Sequence, residues 1–253
     1  MIPAQREAII LEILRSKGVV KVEDLADELN VTPMTIRRDL TKLESQNLAY
    51  RSHGGATLRN PLQKEQLYDI KKMNNHEQKQ KIAQAAYQLV NDGDAIFLDI
   101  GTTTYELAVL LKQKKDITVV TNDLKIALEL YQSDIRVFIA GGEIQKETAG
   151  ALGTETEAFI SNIRVDIAFV GTSSISSDWN ICTPTFEKAT LKKKIMACTS
   201  QCVLLADSSK FGKEAFVKIC SLEKFNVLVT DRHFSKDEQI VLSKMNIDVI
   251  NVT

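Results

Sequence analysis

Six short aliphatic runs limit most strongly how this chain can fold. They lie at residues 95–98, 117–120, 137–140, 167–170, 203–206 and 227–229. None alternates apolar with polar residues, which is the pattern of strands buried on both faces. Each ends in small or polar residues, such as Asp99-Ile-Gly-Thr-Thr-Thr104, Thr121-Asn122, Gly141-Gly142 and Asp207-Ser-Ser-Lys210. A helix-like segment usually follows. Strand, polar end and helix in alternation predict an α/β fold with a mainly parallel sheet. The low aromatic content, 6% against 44% hydrophobic residues, suits such an aliphatic core.

The chain has 253 residues, enough for a second domain, and its first part follows a different pattern. Residues 6–17 read as a helix with Ile9, Ile10, Ile13 and Leu14 on one face, ended by Gly18. A β-prone run at 19–22 and a short helix at 23–29 follow. Asn30-Val31 then turns into a third helix, where Thr32 can cap the first turn and Pro33 suits the first helical position. Ile36, Leu40 and Leu43 share one face of it. Met34, Arg38, Thr41 and Lys42 fall opposite, with Thr35 and Arg37 on the flanks. Alone, this describes an ordinary amphipathic surface helix. After a short helix and a tight turn it describes a helix-turn-helix, whose basic helix lies in a DNA major groove. Arginines there bond guanine bidentately, and hydroxyls reach bases or phosphates. Two extended runs around Gly54-Gly55 predict a β wing, with Arg51 and His53 placed to touch the DNA backbone.

Thr35-Ile36-Arg37-Arg38-Asp39-Leu40, then Leu43-Glu44, then Arg51-Ser52-His53-Gly54-Gly55-Ala56 closely resemble the winged helix-turn-helix of the DeoR family of bacterial transcription regulators. The match runs through residues 3–58 almost without gaps. The family usually has serine where this chain has Thr32, a change that keeps the cap. The resemblance implies a double-stranded DNA operator as partner. The organisation expected is a DNA-binding domain at 1–58, a linker at 59–76 that contains Pro61 and becomes helical near its end, and an effector domain at 77–253.

In open parallel sheets, ligands bind beyond the carboxyl ends of the strands. Gly101 followed by Thr102, Thr103 and Thr104 offers backbone N–H groups and hydroxyls to a phosphate at a helix start. The same residues also serve simply as helix-start caps. Lys210 adds a positive charge at another strand end. The chain has no Gly-x-Gly-x-x-Gly and no Walker-type Gly-Lys-Ser/Thr motif, which argues against dinucleotides and ATP.

Residues 77–232 resemble the sensor domain of the same family, at Lys79, Ile82-Ala83, Asp99 to Thr103, Thr121-Asn122, Gly141-Gly142, Gly150 with Gly153, 166–171 and Asp207 to Phe211. That domain is related in fold to ribose-phosphate isomerases and typically binds phosphorylated sugars. The resemblance implies a phosphorylated sugar effector. The candidate contacts are Asp99, Gly101, Thr102, Thr103, Thr104, Thr121, Asn122, Gly141, Gly142, Gly171, Thr172, Lys192 and Lys210. Where many members have Gly-Ala-Asp-Gly, this chain has Gly171-Thr172-Ser173-Ser174, and Lys188 replaces a common glutamate. Aldose–ketose isomerisation needs a base to move a proton between carbons. The loop at 171–174 holds no acid, which counts against the alternative of a sugar-phosphate isomerase with an accessory DNA-binding module.

Net charge is −1, and residues 1–58 hold eight basic and eight acidic side chains, so attraction to DNA must come from arrangement rather than bulk charge. The N-terminus does not read as a signal peptide, and no apolar run approaches membrane-spanning length. The four cysteines form no Cys-x-x-Cys pair, although Cys198 and Cys202 are spaced to share a helix face. No metal and no cofactor is expected, and reduced thiols point to the cytoplasm. One recognition helix reads few bases, so a homo-oligomer pairing two half-sites is expected. The function expected is a regulator, most simply a repressor of a sugar uptake or catabolism operon.

Overall fold

The computed structural model describes residues 2–46, 48–52, 54–58, 62 and 65–252. The chain divides into two compact units, Met1–Pro61 and Leu62–Thr253.

In the first unit, α1 (Pro3–Lys17), β1 (Val19–Lys21), α2 (Val22–Glu28) and α3 (Pro33–Ser45) precede a hairpin of β2 (Ala49–Ser52) and β3 (Gly55–Leu58). The strands form an antiparallel sheet in the order β1-β3-β2. Ile10 and Leu14 of α1, Leu25 of α2, and Ile36, Leu40 and Leu43 of α3 make one buried core. Asn30 takes a left-handed conformation (φ 51°), which turns α2 sharply into α3. Thr35 N–H donates to the Thr32 hydroxyl at 3.3 Å, the expected cap. Gly55 is required by close approach, because a Cβ there would lie 2.0 Å from the Val20 carbonyl oxygen.

The second unit opens with α4 (Tyr68–Met73) and α5 (His76–Tyr87). Next come β4 (Ala95–Leu98), α6 (Thr102–Leu111), β5 (Thr118–Thr121), α7 (Leu124–Leu130), β6 (Arg136–Ile139), β7 (Glu143–Gln145), β8 (Gly150–Leu152) and α8 (Thr154–Ser161). The chain continues through β9 (Val165–Gly171), β10 (Ser174–Ile175), β11 (Asn180–Thr183), α9 (Phe186–Ala197), β12 (Thr199–Leu205) and β13 (Val217–Ser221). It closes with β14 (Val227–Thr230), α10 (Lys236–Ser243) and β15 (Asp248–Asn251).

The six aliphatic runs become six strands of a seven-stranded sheet in the order β15-β14-β12-β9-β4-β5-β6. Every neighbouring pair is parallel. Side chains alternate between two cores, one on each face. Ile96 and Leu98 pack with Ile82 and Ala86 of α5, Leu107 of α6 and Ile126 of α7. Phe97 packs with Ile160 of α8, Leu191 and Ile195 of α9 and Leu242 of α10. Five of the runs are apolar because both faces need apolar side chains; β6, at the edge of the sheet, leaves Phe138 and Ile139 exposed and departs from the expected burial.

One further feature differs from the sequence reading. Cys198 and Cys202 do not share a helix face, because α9 ends at Ala197 and Cys202 lies on β12. Residues 68–73 form α4, the helical end expected of the linker, and lie within the second unit. All four cysteines are free thiols.

Candidate functional site

In the first unit, α3 turns Met34, Arg37 and Arg38 to solvent; Met34 is 69% exposed, unusual for so apolar a side chain. Arg37 and Arg38 form no ion pair or side-chain hydrogen bond among the described residues. The other candidates are partly engaged. Thr41 donates to the Arg37 carbonyl (2.9 Å), and Lys42 pairs with Glu7 (2.8 Å). Arg51 donates from Nη1 to the Arg37 carbonyl (2.8 Å), while its N–H reaches Glu44 Oε1 (3.0 Å), so it fastens the wing to α3. Thr32 and Thr35 share a hydroxyl–hydroxyl hydrogen bond at the start of α3. His53 lies outside the described residues. Behind the helix, Asp39 accepts two hydrogen bonds from Arg6 of α1, at 2.5 and 3.1 Å. This buried pair sets how α3 stands on its support.

In the second unit, a pocket opens beyond the carboxyl ends of β4, β9 and β12. The chain runs from β4 outward through β5 and β6, and from β9 the other way through β12, β14 and β15. The pocket therefore lies at the topological switch point, where helices leave the sheet in opposite directions.

Asp99, 1% exposed, forms its floor. Its Oδ2 accepts from Lys192 Nζ and from the Gly171 N–H (3.1 Å), and Lys192 also donates to the Gly171 carbonyl (2.8 Å). Residue 101 has no side chain to cap α6. The first-turn N–H groups, at Thr102, Thr103 and Thr104, find no acceptor among the described residues. The Thr104 hydroxyl is used internally, donating to the Asp99 and Gly101 carbonyls. Those of Thr102 and Thr103 have no protein partner among the described residues and face the pocket wall. Thr172 lines the pocket too, its hydroxyl donating to the Ser174 carbonyl at 3.0 Å.

Four lysines line the pocket: Lys71, Lys188, Lys192 and Lys210. Glu65 pairs with both Lys71 and Lys188, the latter at 2.6 Å. Burial pushes the Lys188 amine down to about 8, although Glu65 works against this. Lys210 has no ion pair or hydrogen bond from its amine among the described residues. Burial lowers its pKa, and Asp207 partly restores it. A helix start with free N–H groups and an unpartnered lysine together favour an anion.

The structure brings together Asp99, Gly101, Thr102, Thr103, Thr104, Gly171, Thr172, Lys192 and Lys210. It does not bring Thr121, Asn122, Gly141 or Gly142 to the pocket. Thr121 donates to the Leu98 carbonyl (2.7 Å) and Asn122 to the Ala151 carbonyl (3.1 Å), both fully buried. The Gly141 carbonyl accepts from Thr156 (2.7 Å). Gly142 has φ +156°, and a Cβ there would lie 2.2 Å from Thr156 Oγ1. Tyr68, Lys71 and Thr148 line the pocket without having been expected, and Glu65 stands behind its lysines. Lys71 follows its partner Glu65 by six residues, and no local spacing in the sequence marks Tyr68 or Thr148. Among the described residues no group of three His, Cys, Asp or Glu side chains is placed to hold a metal ion. No described helix is long and apolar enough to cross a membrane.

A winged helix-turn-helix joined to a parallel α/β unit with a cationic pocket defines a ligand-sensing, DNA-binding transcriptional regulator. Residues 6–61 match the DeoR-like helix-turn-helix domain, and residues 74–232 match the DeoR C-terminal sensor domain. The chain belongs to the DeoR family. It is 34% identical to the HTH-type transcriptional regulator GlpR of Haloferax volcanii, over 99% of this chain and 98% of that one. It is 35% identical to the glycerol-3-phosphate regulon repressor of Escherichia coli K12, over 90% of each. Among solved structures, ribose 5-phosphate isomerase A from Methanocaldococcus jannaschii is similar over 55% of each chain, with 20% identity and a TM-score of 0.41.

Proposed function

We propose that the protein is a cytoplasmic repressor of an operon for uptake or catabolism of a sugar or polyol, and that a phosphorylated form of that compound is its effector. The observation that carries the reading is Lys210, an amine without a protein partner among the described residues, lining the same pocket as the uncapped start of α6. That pairing suits a phosphate dianion. One relative's name, glycerol-3-phosphate regulon repressor, supports a small phosphate ester as the class. On the DNA side, Arg37 and Arg38 are the contacts on α3, with Met34 and Thr35 beside them. Lys42 and Arg51 act mainly in holding α3 and the wing. A homo-oligomer presents two such helices to a symmetric operator.

An isomerase role finds no support in the pocket chemistry. Asp99 is the one carboxylate among the described lining residues, and Lys192 and the Gly171 N–H occupy it. The test is binding of the purified chain to DNA upstream of its own gene and neighbouring operons, titrated with glycerol 3-phosphate and pentose and hexose phosphates at fixed salt. Specific binding shifted by one phosphate ester is the expected result. Turnover of a pentose phosphate, with no specific DNA binding, overturns it.

A further inference from the structure

Tyr68 is 5% exposed, and its hydroxyl oxygen is buried without a hydrogen-bond partner among the described residues. Three other buried polar atoms are similarly orphaned, on Asn122, Ser174 and Thr183, but of the four residues only Tyr68 lines the pocket. Burying a hydroxyl unpaired is costly, so an orphan beside a pocket points to a missing partner.

The ring is held firmly where it is. It packs edge-on against Tyr105, with centroids 6.5 Å apart, and Lys125 Nζ lies 3.8 Å over its face. The Tyr68 N–H donates to the Glu147 carbonyl at 2.7 Å. Packing alone would be served equally by phenylalanine. Burial, with the negative charge of Asp123 next in weight, pushes the phenol pKa well up, so the hydroxyl stays protonated and available as a donor.

We infer that Tyr68 determines effector specificity, its hydroxyl donating a hydrogen bond to an oxygen of the sugar or polyol portion of the ligand. The phosphate sits apart, at the start of α6 and Lys210. This rests on the pocket reading proposed above. A phosphate ester bearing an oxygen at the right distance is then selected over inorganic phosphate, since only the ester satisfies the buried phenol.

The test is calorimetric titration of the full chain and its Tyr68→Phe variant with inorganic phosphate, glycerol 3-phosphate, and pentose and hexose phosphates. The expected result is equal phosphate affinity in both proteins, with the tightest ester bound about tenfold more weakly by the variant. The ligand-free variant should unfold at the same temperature as wild type or higher. Equal ester affinities in the two proteins overturn the inference. Loss of phosphate binding or of folded structure in the variant also overturns it, by making the hydroxyl structural. A wild-type protein that binds neither phosphate nor any ester removes the pocket reading itself, and this inference with it.

Discussion

Glu65 and Lys188, 123 residues apart in sequence, form a buried ion pair with Oε2 and Nζ 2.6 Å apart. Lys71 pairs with the other carboxylate oxygen. A carboxylate that precedes α4 thus holds two lysines of the pocket in place. Burial alone would push Glu65 up, but Lys71 and Lys188 outweigh it and bring its pKa from 4.5 down to about 2.

Removing this carboxylate leaves two lysines without their counter-charge. Glu65→Gln should lower stability at pH 7 by about 3 kcal/mol, the usual cost of breaking a buried pair from one side. The pH dependence has a definite sign. The unfolded chain takes up the proton near pH 4.5, and the folded chain only near pH 2. The stabilisation is therefore complete above pH 4.5 and is lost as pH falls toward 2. Denaturant unfolding of both proteins across this range should show their difference shrinking on acidification. Equal stabilities at pH 7 would contradict the account.

Lys188, with its pKa near 8, predicts an alkaline limit to effector binding. Above pH 8 the empty pocket loses this positive charge, so affinity for glycerol 3-phosphate should weaken from pH 7 to pH 9. Binding should also take up protons in that range, since a bound anion raises the amine pKa. Titration calorimetry in buffers of different ionisation heat reads both effects. Lys79 titrates nearby, also at about 8, but its amine donates to the Lys71 and Asn74 carbonyls. Burial lowers the Lys210 amine pKa as well, so Lys188→Gln should flatten part of the pH profile and leave the rest.

On the DNA side, Arg38→Ala should weaken operator binding by about 1–3 kcal/mol, the discrimination of one good arginine–guanine contact. Effector affinity should stay unchanged. Fluorescence anisotropy on operator DNA at fixed salt measures the first, and calorimetry the second. Equal operator affinities would place the recognition surface elsewhere.

Gly142→Ala separates a structural glycine from a ligand contact. The new Cβ would meet Thr156 Oγ1 and the Leu152 carbonyl, at a backbone angle L residues rarely adopt. The variant should unfold several degrees below wild type while phosphate affinity in the still-folded protein holds. Unchanged stability with lost binding would restore Gly142 to the site.

The sequence displayed the parallel sheet because strands buried on both faces must be apolar at every position. It hid β15, whose Asp-Val-Ile-Asn is a half-exposed edge strand with polar ends. It showed which residues end each strand, and hence the Thr102–Thr104 cluster, Gly171 and Lys210. It did not show which strands are neighbours. The pocket opens between β4, β9 and β12, so Asn122 after β5 and Gly141 after β6 stand too far along the sheet to line it. Glu65, Tyr68 and Lys71 fall in a polar segment of little periodicity, which reads as a linker with a helical end and not as part of a site. The Glu65–Lys188 pair spans 123 residues, and Tyr68 meets Tyr105, Lys125 and Glu147, all well outside its own segment, so neither leaves a local trace.

The most direct test of two units with separate tasks is operator binding by Lys210→Gln, with and without the phosphate ester that shifts the wild-type protein. Lys210 has no partner to lose among the described residues, so the account predicts wild-type affinity for DNA without ligand. It predicts a response to the ester shifted to at least about tenfold higher concentration, the loss of one charge-assisted contact. A Lys210→Gln protein that responds at the wild-type ester concentration would contradict the account.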